Sequence, residues 1–426
     1  MNSRIDKDLR ELREAHVISD EVSQRITDYY QAKKSGGPRK LFAIFGVLGS
    51  LLIGLGIILI LAHNWDNFSR FTKTIWAFAP LVIGQLAVGF SLLKNKSRAW
   101  KEASATFLYV GIGASISLVS QIYNIPGDMP EFLMTWILLG ALLVYLLRSY
   151  TAVLLHLIMA TVYACNLGYF NEINPWWYLA MIAWIIPFYL RMLREQPEGN
   201  ATSILNWAIP LSLAITFGAF VSEATNIVFL MYVGLFGLLY NLGKLEVFNS
   251  GKLRRNGYAI IGSLGMIYVF MLVTFEFAWA EFNPSEHLTK DIVITVGIFG
   301  MACLVLLYLA SKKKLLPFNL FQYAFLIFGV IFVAQYWDFQ LAVVLSNLLV
   351  FGLGIFAIRI GNLRNNFGVL NYGLLIITIL VACRFFDTNI DFIVRGLLFV
   401  AIGVGFFLAN YMMYRKQQKL KSKDHE

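Results

Sequence analysis

Apolar and polar positions follow two different rhythms along this chain. Over residues 1–40 the apolar positions are sparse and helically spaced: Ile5, Leu9 and Leu12 fall at i, i+4 and i+7, and Val22, Ile26 and Tyr29 repeat that spacing. Each set makes one apolar face on a short helix. Ser19 has the chemistry of an N-cap, and Asp20 and Glu21 follow where the helix dipole favours anions. The pattern predicts a small helical hairpin, then a Ser35-Gly36-Gly37-Pro38 linker and the basic pair Arg39-Lys40. From Leu41 onward, apolar runs of roughly 16–23 residues alternate with short polar breaks, and a helix needs ~20 residues to cross ~30 Å of hydrocarbon. The expected spans are 41–62, 74–93, 103–122, 132–147, 151–170, 176–193, 204–222, 227–243, 257–278, 291–310, 316–334, 340–358, 367–383 and 392–414. The runs are too long and too little alternating for outer-membrane strands. The expected fold is therefore all-α: a polytopic integral membrane bundle of about 14 transmembrane helices, with a hairpin and linker over 1–40, a multi-span domain over 41–414 and a basic tail over 415–426.

Composition agrees with that medium. Hydrophobic residues make up 58% of the chain and charged residues 14%, with a mean hydropathy of +0.66. A soluble domain has roughly 45–50% apolar and 25% charged residues. A water-soluble globular enzyme is excluded. Cys165, Cys303 and Cys383 all lie inside apolar runs, so neither a disulfide scaffold nor a zinc site is expected. Residues 1–40 hold nine Lys/Arg and seven Asp/Glu without the short apolar core of a signal peptide.

Charge then sets the orientation. With both termini cytoplasmic, 30 of the 35 Lys/Arg fall on inner segments, and only Arg70, Lys73, Lys290, Arg384 and Arg395 fall on outer ones. This obeys the positive-inside rule. The net charge of +10 is thus a topological signal, and no nucleic-acid partner is expected. The outer segments carry 12 acids against those five bases, among them Asp66, Asp128, Glu131, Asp338 and Asp387. Trp65, Trp176, Trp177, Trp279 and Trp337 crowd the same level. Such a level reads as an aromatic belt with solvated acids, or as an acidic vestibule that draws cations and amines.

Candidate chemistry is thin. The first span carries Gly46, Ser50 and Gly54 in steps of four, a surface for close helix approach, and ends in Ala62-His63-Asn64-Trp65-Asp66. In the third span Gly113, Ser117, Gln121 and Asn124 share a face that grows more polar toward the outside. No Asp or Glu falls in the middle third of any expected span, which argues against an ion-coupled pump. His156 is the deepest titratable group and reads as a hydrogen-bonded packing residue. Arg384 and Arg395 lie about one turn from the outer surface, where they can snorkel, with Asp387 and Asp391 near enough in sequence to pair. Glu102 and Arg148 are the corresponding candidates at the inner surface. There is no P-loop, H-E-x-x-H or G-x-S-x-G, and His63 with Asp66 reads as an interfacial cap before it reads as a hydrolytic pair. Ala62-x-x-Trp65-Asp66 recurs as Ala334-x-x-Trp337-Asp338, an echo of the kind a parallel repeat leaves.

Several of these residues resemble a known pattern. Ile18-Ser19-Asp20-Glu21, then Gly54-Leu-Gly56 through Ala62-His63-Asn64-Trp65-Asp66, Glu102-Ala103, Ser120-Gln121-Ile-Tyr123-Asn124 and Trp136 resemble the bacterial membrane-protein family called domain of unknown function 2157. The specific likeness covers roughly residues 5–150, and Arg384-Phe-Phe-Asp387 with Arg395-Gly-Leu397 through Asn410 resembles the family's ending. His16 departs from it, standing where the pattern has glycine. The resemblance implies a bacterial inner-membrane protein with a cytosolic amino terminus, and it implies no activity.

The leading expectation is a non-enzymatic transporter or flippase-like carrier of an amphiphilic or envelope-related small molecule or lipid. Its pathway is assigned to His63, Asn64, Trp65, Asp66, Ser117, Gln121, Asn124, Arg384, Asp387 and Arg395, with no metal and no cofactor. The alternative is a membrane scaffold or sensor that binds partner proteins through the hairpin. A carrier requires a cavity reaching mid-membrane, with Gln121 and Asn166 or Asn347 facing it; a scaffold requires solid packing. An enzyme requires His63 or His156 within hydrogen-bond reach of a carboxylate.

Overall fold

The computed structural model describes residues 9, 11–15, 17–34, 63, 65–221, 227–249, 253–279, 288–312 and 318–387, and singly 393, 396, 397, 400, 403–405, 407, 408, 410, 411 and 415. The expected span 41–62, with its Gly46/Ser50/Gly54 stripe, lies outside these residues, as does most of 392–414. Among the described residues there are helices and no strands.

The chain divides into two compact units, residues 1–77 and 78–426. In the first, residues 11–14 are helical and α1 runs over Asp20–Lys34. Ser19 caps α1 as its chemistry predicts: its Oγ accepts the Val22 N–H at 3.3 Å. Arg13 Nε lies 3.6 Å from Asp20 Oδ1. A 3-10 turn over Trp65–Asn67 then leads to α2, Arg70–Leu93.

The other helices are α3 (Arg98–Tyr123), α4 (Met129–Leu146), α5 (Tyr150–Cys165), α6 (Trp177–Glu195) and α7 (Asn200–Thr216). They continue as α8 (Ile227–Leu242), α9 (Gly257–Leu272), α10 (Leu288–Ser311), α11 (Leu320–Ala334), α12 (Phe339–Leu363) and α13 (Phe367–Asp387). Each expected span that falls on described residues coincides with one of α2–α13. By length and composition, eight helical segments among the described residues can cross a membrane: α2, α3, α4, α5 with its extension to Phe170, α7 with its extension to Phe220, α10, α12 and α13. This is a polytopic helical membrane protein. The apolar α8, α9 and α11 are shorter, at 16, 16 and 15 residues.

Boundaries follow local chemistry more than hydropathy. Asp128, Ser149, Asn256, Asn319 and Asp338 each accept a backbone N–H and start α4, α5, α9, α11 and α12. Two helix limits stand apart from the expected span limits. α3 begins at Arg98, so Arg98, Lys101 and Glu102 lie on the same helix ahead of the expected span 103–122. α9 stops at Leu272, well before residue 278, because Thr274 Oγ1 turns back to the Met271 carbonyl and Trp279 Nε1 donates to the Val273 carbonyl.

Two helices act as hubs in the second unit. α5 packs against α3, α4, α6 and α7, and α8 against α7, α9, α10 and α11, while α12 and α13 pair closely beside α9 and α11. Around α8 the interior is aromatic and solid: Phe270, Phe325 and Phe328 are fully buried, and Phe328 lies 5.3 Å from the Phe270 ring and 6.1 Å from Trp279. α12 and α13 meet backbone to backbone at Gly373, where a Cβ would come within 2.6 Å of the Gly354 carbonyl and the Ile358 nitrogen.

Candidate functional site

A cavity of about 660 Å³ opens between the Phe78–Leu81 part of α2, α3 and α4, at the end where α3 enters the acidic segment 124–131. Its rim is made by two local devices. Asn124 ends α3 in the left-handed region (φ 52°, ψ 44°), which Asn tolerates well, and its N–H bonds the Ser120 carbonyl. Ser120 Oγ pins the same turn by donating to the Ile125 carbonyl at 2.9 Å. Asp128 then caps α4, accepting the Glu131 N–H at 2.8 Å, which leaves the carboxylates of Asp128 and Glu131 exposed at the mouth.

Inside, the lining is two-faced. Ser115, Ser117, Ser120 and Thr135 give hydroxyls, while Phe78, Leu81, Ile112, Ile116, Phe132 and Leu139 give an apolar floor. The floor reaches back to Ile112, eleven residues before the end of α3 at Tyr123. At 1.5 Å per residue that is a depth of about 16 Å, half of a ~30 Å hydrocarbon core. The walls are held rigid from behind. Trp136 Nε1 donates to the Tyr109 carbonyl at 2.6 Å, and a Cβ on Gly113 would lie 2.3 Å from the Trp136 ring, so only glycine admits that indole.

The sequence-expected pathway is only partly assembled. Of the stripe Gly113, Ser117, Gln121 and Asn124, only Ser117 lines the cavity. Gly113 is covered by Trp136, Gln121 is exposed elsewhere, and Asn124 is the helix cap. The lining face of α3 (Ile112, Ile116, Ser120) is rotated from the expected stripe by roughly 100°, one residue step on a helix. Asn347 does not face it: its Nδ2 donates to the Thr274 and Val343 carbonyls. Asn166 opens a π-helical turn and bonds Asn171.

In the first unit His63 and Asp66 are exposed, Trp65 is half-buried, and Asn64 lies outside the described residues. The cap of α2 is Ser69, whose Oγ accepts the Thr72 N–H at 3.2 Å; the cap expected of His63 and Asp66 concerns the end of the span 41–62, which lies outside the described residues. Lys73 Nζ sits 5.7 Å from the Trp65 ring and ties the 3-10 turn to that helix. The echoed motif diverges here, because Asp338 does cap its helix, accepting the Gln340 N–H at 2.8 Å. Arg384 reaches back between helices: its Nη2 donates to Thr274 Oγ1 at 3.3 Å and its guanidinium lies 4.6 Å from the Phe275 ring. The Asp387 side chain and Arg395 lie outside the described residues. His156 is buried with Nε2 3.1 Å from the Met181 carbonyl, a packing contact and not a carboxylate pair.

A second constellation sits at the opposite end of α3. The Glu102 carboxylate collects four hydrogen bonds: from Ser149 Oγ (2.5 Å), the Tyr150 N–H (3.0 Å), the Thr151 N–H (3.0 Å) and Thr151 Oγ1 (2.9 Å). It thereby caps the N-terminus of α5 from a neighbouring helix. The sequence marks Glu102 as an interfacial acid but hides the partner, which is 47 residues away.

The cavity, its rim and this carboxylate cap all belong to one stretch of chain, and that stretch has relatives. Residues 10–153 match the family described as predicted membrane protein, DUF2157. The DUF2157 segment contains the whole 660 Å³ cavity and the complete Glu102 cap, and it ends within the first turn of α5. No curated protein and no solved structure matches the chain.

Proposed function

We propose that this membrane protein is a non-enzymatic carrier, which takes an amphiphilic molecule or lipid into the cavity between α2, α3 and α4. The observation that carries the reading is the cavity's two-faced lining: two carboxylates and Ser120 at the mouth, then Ser117 and Ser115 stepping inward along α3 beside an apolar wall that ends at Ile112, about 16 Å deep. An acyl or isoprenoid chain matches the floor, and an amine or polyhydroxyl headgroup matches the mouth. The reading places the acidic mouth on the outer side and the termini in the cytoplasm of a bacterial inner-membrane protein, as the lysine and arginine distribution implies. A cavity lined by Ser, Thr and carboxylates without a nucleophile–base pair suits binding better than covalent chemistry.

One observation favours the second reading, a scaffold or sensor. Around α8 buried amide side chains are taken up by neighbouring backbone carbonyls, as in Asn241 Nδ2 to the Gln322 carbonyl at 3.1 Å and Asn256 Nδ2 to the Gly243 carbonyl at 2.7 Å. That half shows packing around α8 among the described residues. Reconstitution separates the readings. Liposomes containing the wild type should move a fluorescent amphiphile between leaflets, and Ser117→Trp, which fills the cavity, should stop it. Transport equal to empty liposomes across lipid and solute panels would contradict the carrier.

A further inference from the structure

The end of α3 opposite the amphiphile cavity bears a second cavity with reversed charge. It measures about 290 Å³ and lies between the start of α3, the α4–α5 junction and the end of α6. Arg98, Lys101, Arg148 and Arg191 line it against a single acid, Glu195, with Tyr150 and Gln196 as its neutral polar walls. We propose that this cavity is a binding site for a phosphate group, carried by an anionic lipid headgroup or by a soluble phosphate. The inference is independent of the carrier reading.

The argument starts from how the cations are held. Arg98 stacks over the Tyr150 ring at 3.7 Å and lies 3.7 Å from Glu102. Tyr150 is itself fixed by its OH, which donates to Gln196 Oε1 at 3.0 Å across to the end of α6. Arg191 is oriented by Glu195 at 2.6 Å, and Lys101 donates to Asn95 Oδ1 at 3.3 Å. Three cations are thus pre-positioned on two separate helices, α3 and α6, which lowers the ordering cost of binding. Arg148 differs. It makes no ion pair among the described residues, its side chain is exposed at the cavity, and its backbone sits at φ +50°. A junction that only had to turn would take glycine there at no steric cost. An arginine held in a conformation L-residues avoid, beside three oriented cations, points to the guanidinium as the reason for the position. The α5 N-terminus does not attract the anion, because Glu102 already occupies it. Arginine forks suit phosphate oxygens, and basic pockets between membrane helices are where anionic headgroups dock.

The test uses the full chain in phosphatidylcholine nanodiscs at fixed ionic strength, read by thermal unfolding. Phosphatidylglycerol is titrated into the disc in one arm, and inorganic phosphate into the buffer in the other. The site predicts a saturable rise in melting temperature in at least one arm. A lipid-only response assigns a headgroup, and a phosphate response assigns a soluble anion. Arg148→Gly relieves the left-handed backbone, so folding is not at stake, and it should weaken the half-saturation point about fivefold or more, as should Arg191→Gln. Arg194→Gln removes the same charge from the same helix but does not line the cavity, and should leave binding within about twofold. No response in either arm would overturn the proposal, and so would equal losses in Arg148→Gly and Arg194→Gln.

Discussion

The region gathered on α5 and the region gathered on α8 are built from similar apolar helices and solve packing in opposite ways. Around α8, aromatic rings fill the interior: Phe328 and Phe325 are 0% exposed, and polar groups such as Gln322 and Asn241 bond each other. Around α5, the neighbouring helix α3 has a cavity at each end, acidic at one and basic at the other. Lipid gives helices little hydrophobic reason to associate, so shape and polar contacts decide what holds. The α8 region spends its contacts on solidity. The α3–α5 region concentrates rigidity in a few ties, the Trp136–Tyr109 lock and the Glu102 cap, and leaves space between them.

The difference can be broken by substitution. Phe328→Ala, deep in the solid half, should have the largest effect, about 3 kcal/mol of lost stability in detergent unfolding, because no neighbour can collapse into the gap. Glu102→Gln should cost about 2 kcal/mol, since a carboxylate replaced by an amide no longer accepts from four donors and leaves some of them unpaired. Removing this one side chain also tests whether α3 and α5 are tied chiefly at that point: hydrogen exchange should rise at Tyr150 and Thr151 before it rises in α8. Gly113→Ala forces the Trp136 ring to move and should cost about 1 kcal/mol, with a red shift of tryptophan emission reporting the displaced indole. Ser117→Trp should be the mildest for stability, within about 0.5 kcal/mol, because Ser117 is exposed in an open cavity. Its consequence is expected in ligand handling and not in folding.

The helical architecture was legible because membrane helices announce themselves by run length, and every expected span on described residues met a helix. What the runs do not carry is rotation about the helix axis. The stripe through Gly113, Gln121 and Asn124 was visible as a polar face, yet its use depends on a tryptophan 23 residues further on that claims Gly113. Ser117 is the residue of that stripe that lines the cavity, beside Ser120, which the stripe did not include. Pairings across tens of residues were hidden for the same reason. Glu102 looked like an interfacial acid near Arg148, and in the fold it turns to Ser149 and Thr151 while Arg148 faces a cavity. Arg384 reaches Thr274, 110 residues away, a contact that no local spacing announces; the side chain of Asp387, its expected partner, lies outside the described residues.

The most direct test of the central claim is photocrosslinking in native membranes from position 117, compared with position 86 on the exposed face of α2. Leu86 reports bulk lipid. A cavity that selects an amphiphile predicts that adducts at 117 are enriched in one headgroup class and are lost when Thr135→Trp narrows the same space. Adducts at 117 with the same composition as those at 86, unchanged by Thr135→Trp, would contradict it.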